Sequence, residues 1–430
     1  MTAVAASAAL APITDRSADA QLPRLRRDVK ISDANWHGAN AVHLVRDTVA
    51  GRTFEVGTKE HFVMTRLDGT RSATQLQAEY AEHLGRRLDD RGLWQLLGQL
   101  GKRRLLEGFD NDDPSSAPAS HHTSESDRRS DATEPRNTLL RAEIRLAADP
   151  EKLSARLAAV VKPSAHSAVA VLLLFAAGAT ATVASGGLAD RVVQAWMSPV
   201  AMVVAVLLLW LSTAVHELAH GVVATLQGGR VAAYGIRWRL PVLIPFCRVE
   251  DYLFIPGRRG RIAAALAGPA VHLVAAGACA ALWLAGLRTG TVADILALVW
   301  AGNVMLTVAN LVPLAPLDGY VVLSHATGVL RLTTQSQQYA GVHLRAVVRR
   351  SDDEARTTRE RYPARLRRIY LGYALLAPLL VLALATGAVF IAAAFIPQSA
   401  GPWRYAGPIA AVLLVITGMA TTQRNRTETS

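Results

Sequence analysis

Between Val192 and Val215 the chain carries no charged residue, and the run leads directly into His216-Glu217-Leu218-Ala219-His220. About 20 apolar residues are what a helix needs to cross the hydrocarbon core of a bilayer. The stretch is therefore predicted to be a helix embedded in a membrane. Residues four apart on a helix lie one turn apart on nearly the same face. His216 and His220 can thus hold one Zn²⁺ from one side, with Glu217 beside them as a base. A metal-binding helix in water would be amphipathic. Here the approach to the motif is apolar throughout, which puts the site within the lipid.

Five further charge-free runs follow the same rule: His166–Ala189, Ile262–Leu287, Ile295–Leu317, Ile369–Ile396 and Tyr405–Ala420. The expected fold class is mainly α, a multi-pass membrane bundle of about six spans, with a small α+β domain in front. The formal net charge of +12 raises nucleic acid as a partner, and the positions of the arginines decide against it. They crowd the loop between the second and third runs (Arg230, Arg237, Arg239, Arg248, Arg258) and the loop between the fourth and fifth (Arg345, Arg349, Arg356, Arg361, Arg368). The alternate loops hold only Arg191, Arg288 and Arg404. By the positive-inside rule the N-terminal domain and both termini face the cytoplasm of a cell-membrane protein. Two cysteines, Cys247 and Cys279, exclude a disulfide framework and are expected to serve packing.

Ahead of the spans, residues 1–32 read as a disordered basic tail whose Ala-rich start lacks the features of a signal peptide. Alternation over Val42–Val45 and Thr53–Val56 predicts two short strands joined by a turn at Val49–Arg52. Helices are predicted over Lys59–Arg66, Thr74–Leu84, capped by Thr70 or Ser72, and Asp90–Lys102. These elements make a winged-helix-like domain over 33–110. Residues 111–137, rich in Ser, Asp, Pro and Thr, read as a flexible linker, and His121-His122 within it as solvated. Residues 138–165 read as an amphipathic segment on the membrane surface. The membrane domain is placed at 166–421 and a cytoplasmic tail at 422–430.

The stretch Phe62 to Ser72, with its Asp68-Gly69-Thr70, together with Asp90–Leu106, resembles the PqqD-like domains that recognise leader peptides of ribosomally made, modified peptides. The resemblance implies that a leader adds as a strand beside the third helix, without naming the residues that bind it. A generic small helical module or a DNA-binding winged helix is the competing reading. The third helix lacks the dense basic face that DNA would require.

A zinc site needs a third protein ligand and an open position for water. Asp318 ends the fourth run in Asn310-Leu311-Val312-Pro313-Leu314-Ala315-Pro316-Leu317-Asp318-Gly319. The two prolines break a helix, which is tolerable at membrane depth only beside a polar cavity. The second and fourth runs cross in the same direction, so His216 and Asp318 fall toward the same side. The paired motifs closely resemble the site-2 protease (M50) family of intramembrane zinc metalloproteases, over about Ala165–Ala420. The resemblance implies His216, His220 and Asp318 as zinc ligands. It implies Glu217 as the base that activates water and protonates the leaving amine. Asn310 is expected either to hold substrate or the oxyanion, or to make a hydrogen bond at the helix break.

Where the family often carries Gly-Pro-x-x-Asn, this chain has Gly268-Pro269-Ala270-Val271-His272, and His272 is read as simply a buried, hydrogen-bonded residue rather than as a polar contact near the site in place of the Asn. His325 is a weaker metal candidate, expected in the core. Leu67-Asp68-Gly69 repeats the letters around Asp318 but is expected to ligate nothing. The Arg-rich stretch Gly228–Pro256 resembles the family's membrane-associated β segment, whose edge an extended substrate joins. The combined expectation is a zinc protease that cleaves a precursor peptide captured by its leader, as in daptide-like biosynthesis. The alternatives are intramembrane proteolysis of a signalling protein such as an anti-sigma factor, and a non-enzymatic membrane scaffold or immunity protein.

Overall fold

The predicted alternation over residues 42–56 becomes a hairpin whose turn is tied by one carboxylate. Strands β1 (Val29–Ile31), β2 (Asn35–His37), β3 (Asn40–Asp47) and β4 (Arg52–Gly57) precede helices α1 (Thr58–Met64), α2 (Ala73–Leu84) and α3 (Asp90–Lys102). Strand β3 pairs antiparallel with both β1 and β4, placing Val45 opposite Ile31 and Phe54. Asp47 Oδ1 accepts from the backbone N–H groups of Val49 and Ala50 at 3.1 and 3.0 Å, which closes the turn. The computed structural model describes residues 21–107, 141–161, 166–184, 186–239, 242–250, 252–348, 353–394, 396 and 398–413. It divides into two units: the described residues up to Ala34 and from Asn40 to 107, and Asn35–Ala39 with everything described from 141 onward.

In the first unit the helices start where small polar side chains can satisfy their first N–H groups. Ser72 caps α2 in a reciprocal capping box with Gln75, and Asp89 caps α3 by accepting from Gly92. The core gathers Phe62, Met64 and Leu67 with Leu76 and Tyr80 of α2 and Leu93, Leu97 and Leu100 of α3. The expected tail is corrected here. Leu22 is buried in that core, Leu25 packs against it, and Gln21, Arg24 and Leu25 form bridges to Ser72, Asp68 and Leu106. These are single contacts without periodicity, so nothing local in the sequence signals them. Residues 1–20 of the expected tail and the whole expected linker lie outside the described residues.

The second unit is mainly helical. Strand β5 (Arg141–Arg145) and α4 (Pro150–Val160) lead to α5 (His166–Ala184), α6 (Leu188–Ala195) and α7 (Pro199–Leu226). The hairpin β6 (Arg230–Arg239) and β7 (Val242–Glu250) comes next. Then follow α8 (Arg258–Leu284), α9 (Gly290–Leu311), α10 (Asp318–Thr327), α11 (Leu332–Val348), α12 (Asp353–Glu360) and α13 (Ala364–Ala394). Among the described residues α7, α8, α9 and α13 are long and apolar enough to cross a membrane, and α5 with α6 makes a fifth if that pair, bent by 71°, is counted as one. Among the described residues, four or five helices of this kind stand where about six spans were expected. The expected last span is preceded by a 3₁₀ segment, Gln398–Tyr405, and its residues after 413 lie outside the described ones, as does the tail at 422–430.

Two features suit these helices to lipid. Large apolar side chains point outward, including Val200, Val203, Leu207 and Leu211 on α7 and Leu375, Leu379 and Leu382 on α13. Water would not tolerate so much contiguous apolar surface. Small residues line the contacts inside, among them Ala201 and Ala205 of α7, Ala276 and Ala280 of α8, and Ala293 and Ala297 of α9. Without a hydrophobic force between helices in lipid, close backbone approach is what packs them.

The expected amphipathic segment at 138–165 holds a strand and a helix among its described residues. Residues 141–145 form β5, paired antiparallel with β6 from Arg141–Arg239 to Arg145–Gly235. Glu143 of β5 pairs with Arg237 and Arg248 of the hairpin, and Ser154 of α4 bonds the Tyr234 hydroxyl at 2.8 Å.

Candidate metal centre

Helix α7 holds His216 ten residues before its C-terminal end, roughly 15 Å along the axis at 1.5 Å per residue. The motif therefore sits well inside this candidate span. The same stretch that presents leucines outward turns His216 inward, where it is 5% exposed. The third ligand arrives across a break. Helix α9 ends at Leu311, Val312–Leu317 runs without helix past Pro313 and Pro316, and Asp318 starts α10. The first turn of a helix favours a carboxylate. Gly319 permits the return, since a Cβ there would lie 2.2 Å from the Leu311 carbonyl oxygen.

Three ligand atoms converge. His216 Nε2 lies 3.1 Å from His220 Nε2, while Asp318 Oδ2 is 3.3 Å from His216 Nε2 and Asp318 Oδ1 is 3.4 Å from His220 Nε2. His220 Nδ1 donates to the carbonyl oxygen of Ala264 at 2.7 Å. A carbonyl only accepts, so this bond fixes the proton on Nδ1 and leaves the Nε2 lone pair aimed at the cluster. His216 Nδ1 and Asp318 Oδ2 are buried without a hydrogen-bond partner among the described residues. Gly268 of α8 keeps the cluster open: a Cβ there would sit 2.5 Å from the Nε2 atoms of both histidines. Lone pairs brought this close can share one cation, as they can share protons. Two imidazoles and one carboxylate are the donor set of a catalytic zinc site, so the residues present fit that ion.

Glu217 flanks the trio. Its Oε1 lies 4.0 Å from His216 Nε2, and its Oε2 accepts from the backbone N–H of Cys247 at 2.8 Å. A cavity of about 320 Å³ opens beside it, lined by Glu217, His220 and Asp318 on one side and by Cys247, Arg248, Val249 and Tyr252 on the other. Cys247, expected to serve packing, thus lines the site. Cys279 is buried in the bundle core.

Asn310, a sequence candidate, is the penultimate residue of α9 and does not line this cavity. The α9 amide beside the cluster is Asn303, fully buried. Its Oδ1 accepts from the Ser212 hydroxyl at 2.6 Å and from His272 Nδ1 at 2.9 Å, and its Nδ2 donates to the Val299 carbonyl. The His272 ring lies 4.8 Å from that of His216. His272 is therefore buried and hydrogen-bonded and at the same time stands beside the cluster, so the structure does not separate the two readings. Ser212 and Asn303 were legible as polar residues inside apolar spans, which is a functional signal in itself. His325 stacks on Tyr252 with ring centroids 5.1 Å apart and is not part of the ligand trio.

In the first unit Asp68 has partners within its own turn. Its Oδ1 accepts from the hydroxyl and backbone N–H of Thr70, and its Oδ2 pairs with Arg71. The Thr70 hydroxyl, the Thr70 N–H and Arg71 hold the carboxyl at about 2.

No family model matches this chain, and no curated protein or solved structure matches it either.

Proposed function

We propose that this chain is an intramembrane zinc endopeptidase that cleaves a ribosomally made precursor peptide captured through its leader by the N-terminal domain. The observation that carries the reading is the convergence of His216, His220 and Asp318, with Glu217 beside them, next to a cavity and within a helix long and apolar enough to cross a membrane. Zn²⁺ held by these three residues would polarise a scissile carbonyl and acidify water. Glu217 Oε1, on the cluster side, takes a proton from the attacking water and passes it to the leaving amine. The Nδ1–H bond of His220 to Ala264 fixes the ring that presents Nε2. Substrate, in this reading, reaches the site through the cavity lined by His220 and Asp318 with Cys247, Arg248 and Val249 of β7. In this reading the N-terminal domain, both termini and the Arg-rich loops are cytoplasmic.

The test pairs metal analysis with one substitution in the purified full-length protein. Glu217→Gln keeps about one zinc per chain, since the ligands are intact, and lowers cleavage by about 10²–10⁴-fold, the usual worth of a general base. Undiminished cleavage by the variant, or wild-type protein that takes up no zinc, sinks the assignment.

A further inference from the structure

We propose that Cys247 is a positioning residue for Glu217, and that it acts through its backbone N–H rather than its thiol. The inference rests on the protease reading for its consequence, but the contact itself follows from the ladder. In β6–β7, Trp238 faces Leu243, Ile236 faces Pro245 and Tyr234 faces Cys247. Alternate residues of an antiparallel pair turn their N–H and C=O groups toward the partner strand, and those between turn them away. Leu243, Pro245 and Cys247 share one parity. Proline has no N–H to give, so this is the parity that faces away from β6.

Strand β7 is the edge of its sheet, in the order β5-β6-β7, and helix α7 meets that edge. Trp210 Nε1 donates to the Leu243 carbonyl at 2.9 Å, and Glu217 Oε2 accepts from the Cys247 N–H at 2.8 Å. Trp210 and Glu217 are seven residues apart, about two turns along one helix face. The edge expected to receive substrate is thus engaged by the protein itself at Leu243 and Cys247.

The consequence falls on Glu217. An unrestrained glutamate samples several rotamers, whereas a general base has to stand in one orientation. With Oε2 tied to an amide fixed in a sheet, Oε1 stays on the His216 side, 4.0 Å from its Nε2. The restraint comes from the main chain, so it survives loss of the thiol and fails with loss of the N–H.

Two measurements on the full-length protein in lipid nanodiscs test this. The first is hydrogen exchange at the Cys247 amide, which Glu217→Ala should speed by about tenfold or more as its acceptor disappears. Unchanged exchange overturns the proposal. The second compares Cys247→Pro with Cys247→Ala on a small precursor peptide encoded beside the gene, leader included, labelled fluorogenically. Proline should lower kcat about 10–100-fold more than alanine, the range for partners that orient metal-site groups. KM should stay within about threefold, since substrate binding is not what is lost, and zinc content should be equal in the two variants. Equal kcat, a faster proline variant, or a loss confined to KM overturns it. An α-hydroxy acid at position 247, which replaces only the N–H by oxygen, repeats the comparison if proline disturbs the strand. If wild-type protein cleaves nothing, the protease reading fails, while amide exchange still decides whether Cys247 holds Glu217.

Discussion

His216 Nε2 and Asp318 Oδ2 stand 3.3 Å apart although one belongs to the middle of a long apolar helix and the other to the first turn of a short one. Two elements of unlike character meet here because α9 stops at Leu311 and the chain doubles back through Pro313 and Pro316. An unbroken helix would have carried Asp318 about two turns beyond Leu311 along the axis. The break is what returns the carboxylate to the histidines.

The space at the cluster is set by one missing methyl group. Gly268→Ala would drive a Cβ to within 2.5 Å of the Nε2 atoms of His216 and His220, and His220 cannot swing away without breaking its bond to Ala264. The variant is expected to fold but to lose most of its zinc, measured by elemental analysis after purification. Full metal occupancy in the variant would show that the histidines do not share an ion on that side.

Asn303 holds two polar groups that lipid cannot satisfy. Asn303→Ala leaves the Ser212 hydroxyl and His272 Nδ1 short of their common partner, at a cost of about 1–2 kcal/mol. Thermal unfolding in detergent should register this. Combining it with His272→Ala should cost less than the sum of the two single changes, because they remove the same bond. Strict additivity would argue against a shared network.

Leu22 lies in the core of the first unit, 2% exposed, so Leu22→Ala should cost about 2–5 kcal/mol, as for other buried leucines. It follows that a fragment beginning at residue 33 will unfold more easily than one beginning at residue 21. Chemical denaturation of the two fragments decides this. Calorimetric titration of the longer one with small precursors encoded beside the gene then tests leader recognition.

The turn at Asp68 links stability to pH. Its carboxyl titrates at about 2 in the folded chain, below the ordinary 3.8, because Thr70 and Arg71 favour the ionised form. A depressed carboxyl stabilises the fold above its unfolded value, and that contribution disappears as pH falls from about 4 toward 2. Asp68→Asn should flatten this part of the pH profile of the first unit, followed by hydrogen exchange over residues 58–107. The group is exposed, so the effect is expected to be small.

What local pattern controls was legible beforehand. The four-residue spacing of His216 and His220, the charge-free runs, the hairpin over residues 42–56, the capping Ser72 and the break at Pro313 and Pro316 all act within a few residues of themselves. The sequence alone also pointed to Asp318, since a carboxylate at the end of an apolar run needs a partner. Tertiary structure decided the rest. Strand β5 pairs with residues far along the chain, and Leu22 is buried by helices that do not adjoin it. Asn303 rather than Asn310 stands beside the cluster, because only the packing of α7, α8 and α9 determines which face of α9 turns inward. The donor to Glu217 is a backbone N–H, and a backbone N–H looks the same at nearly every residue. Its role comes from strand register and edge position, which no side-chain letter records.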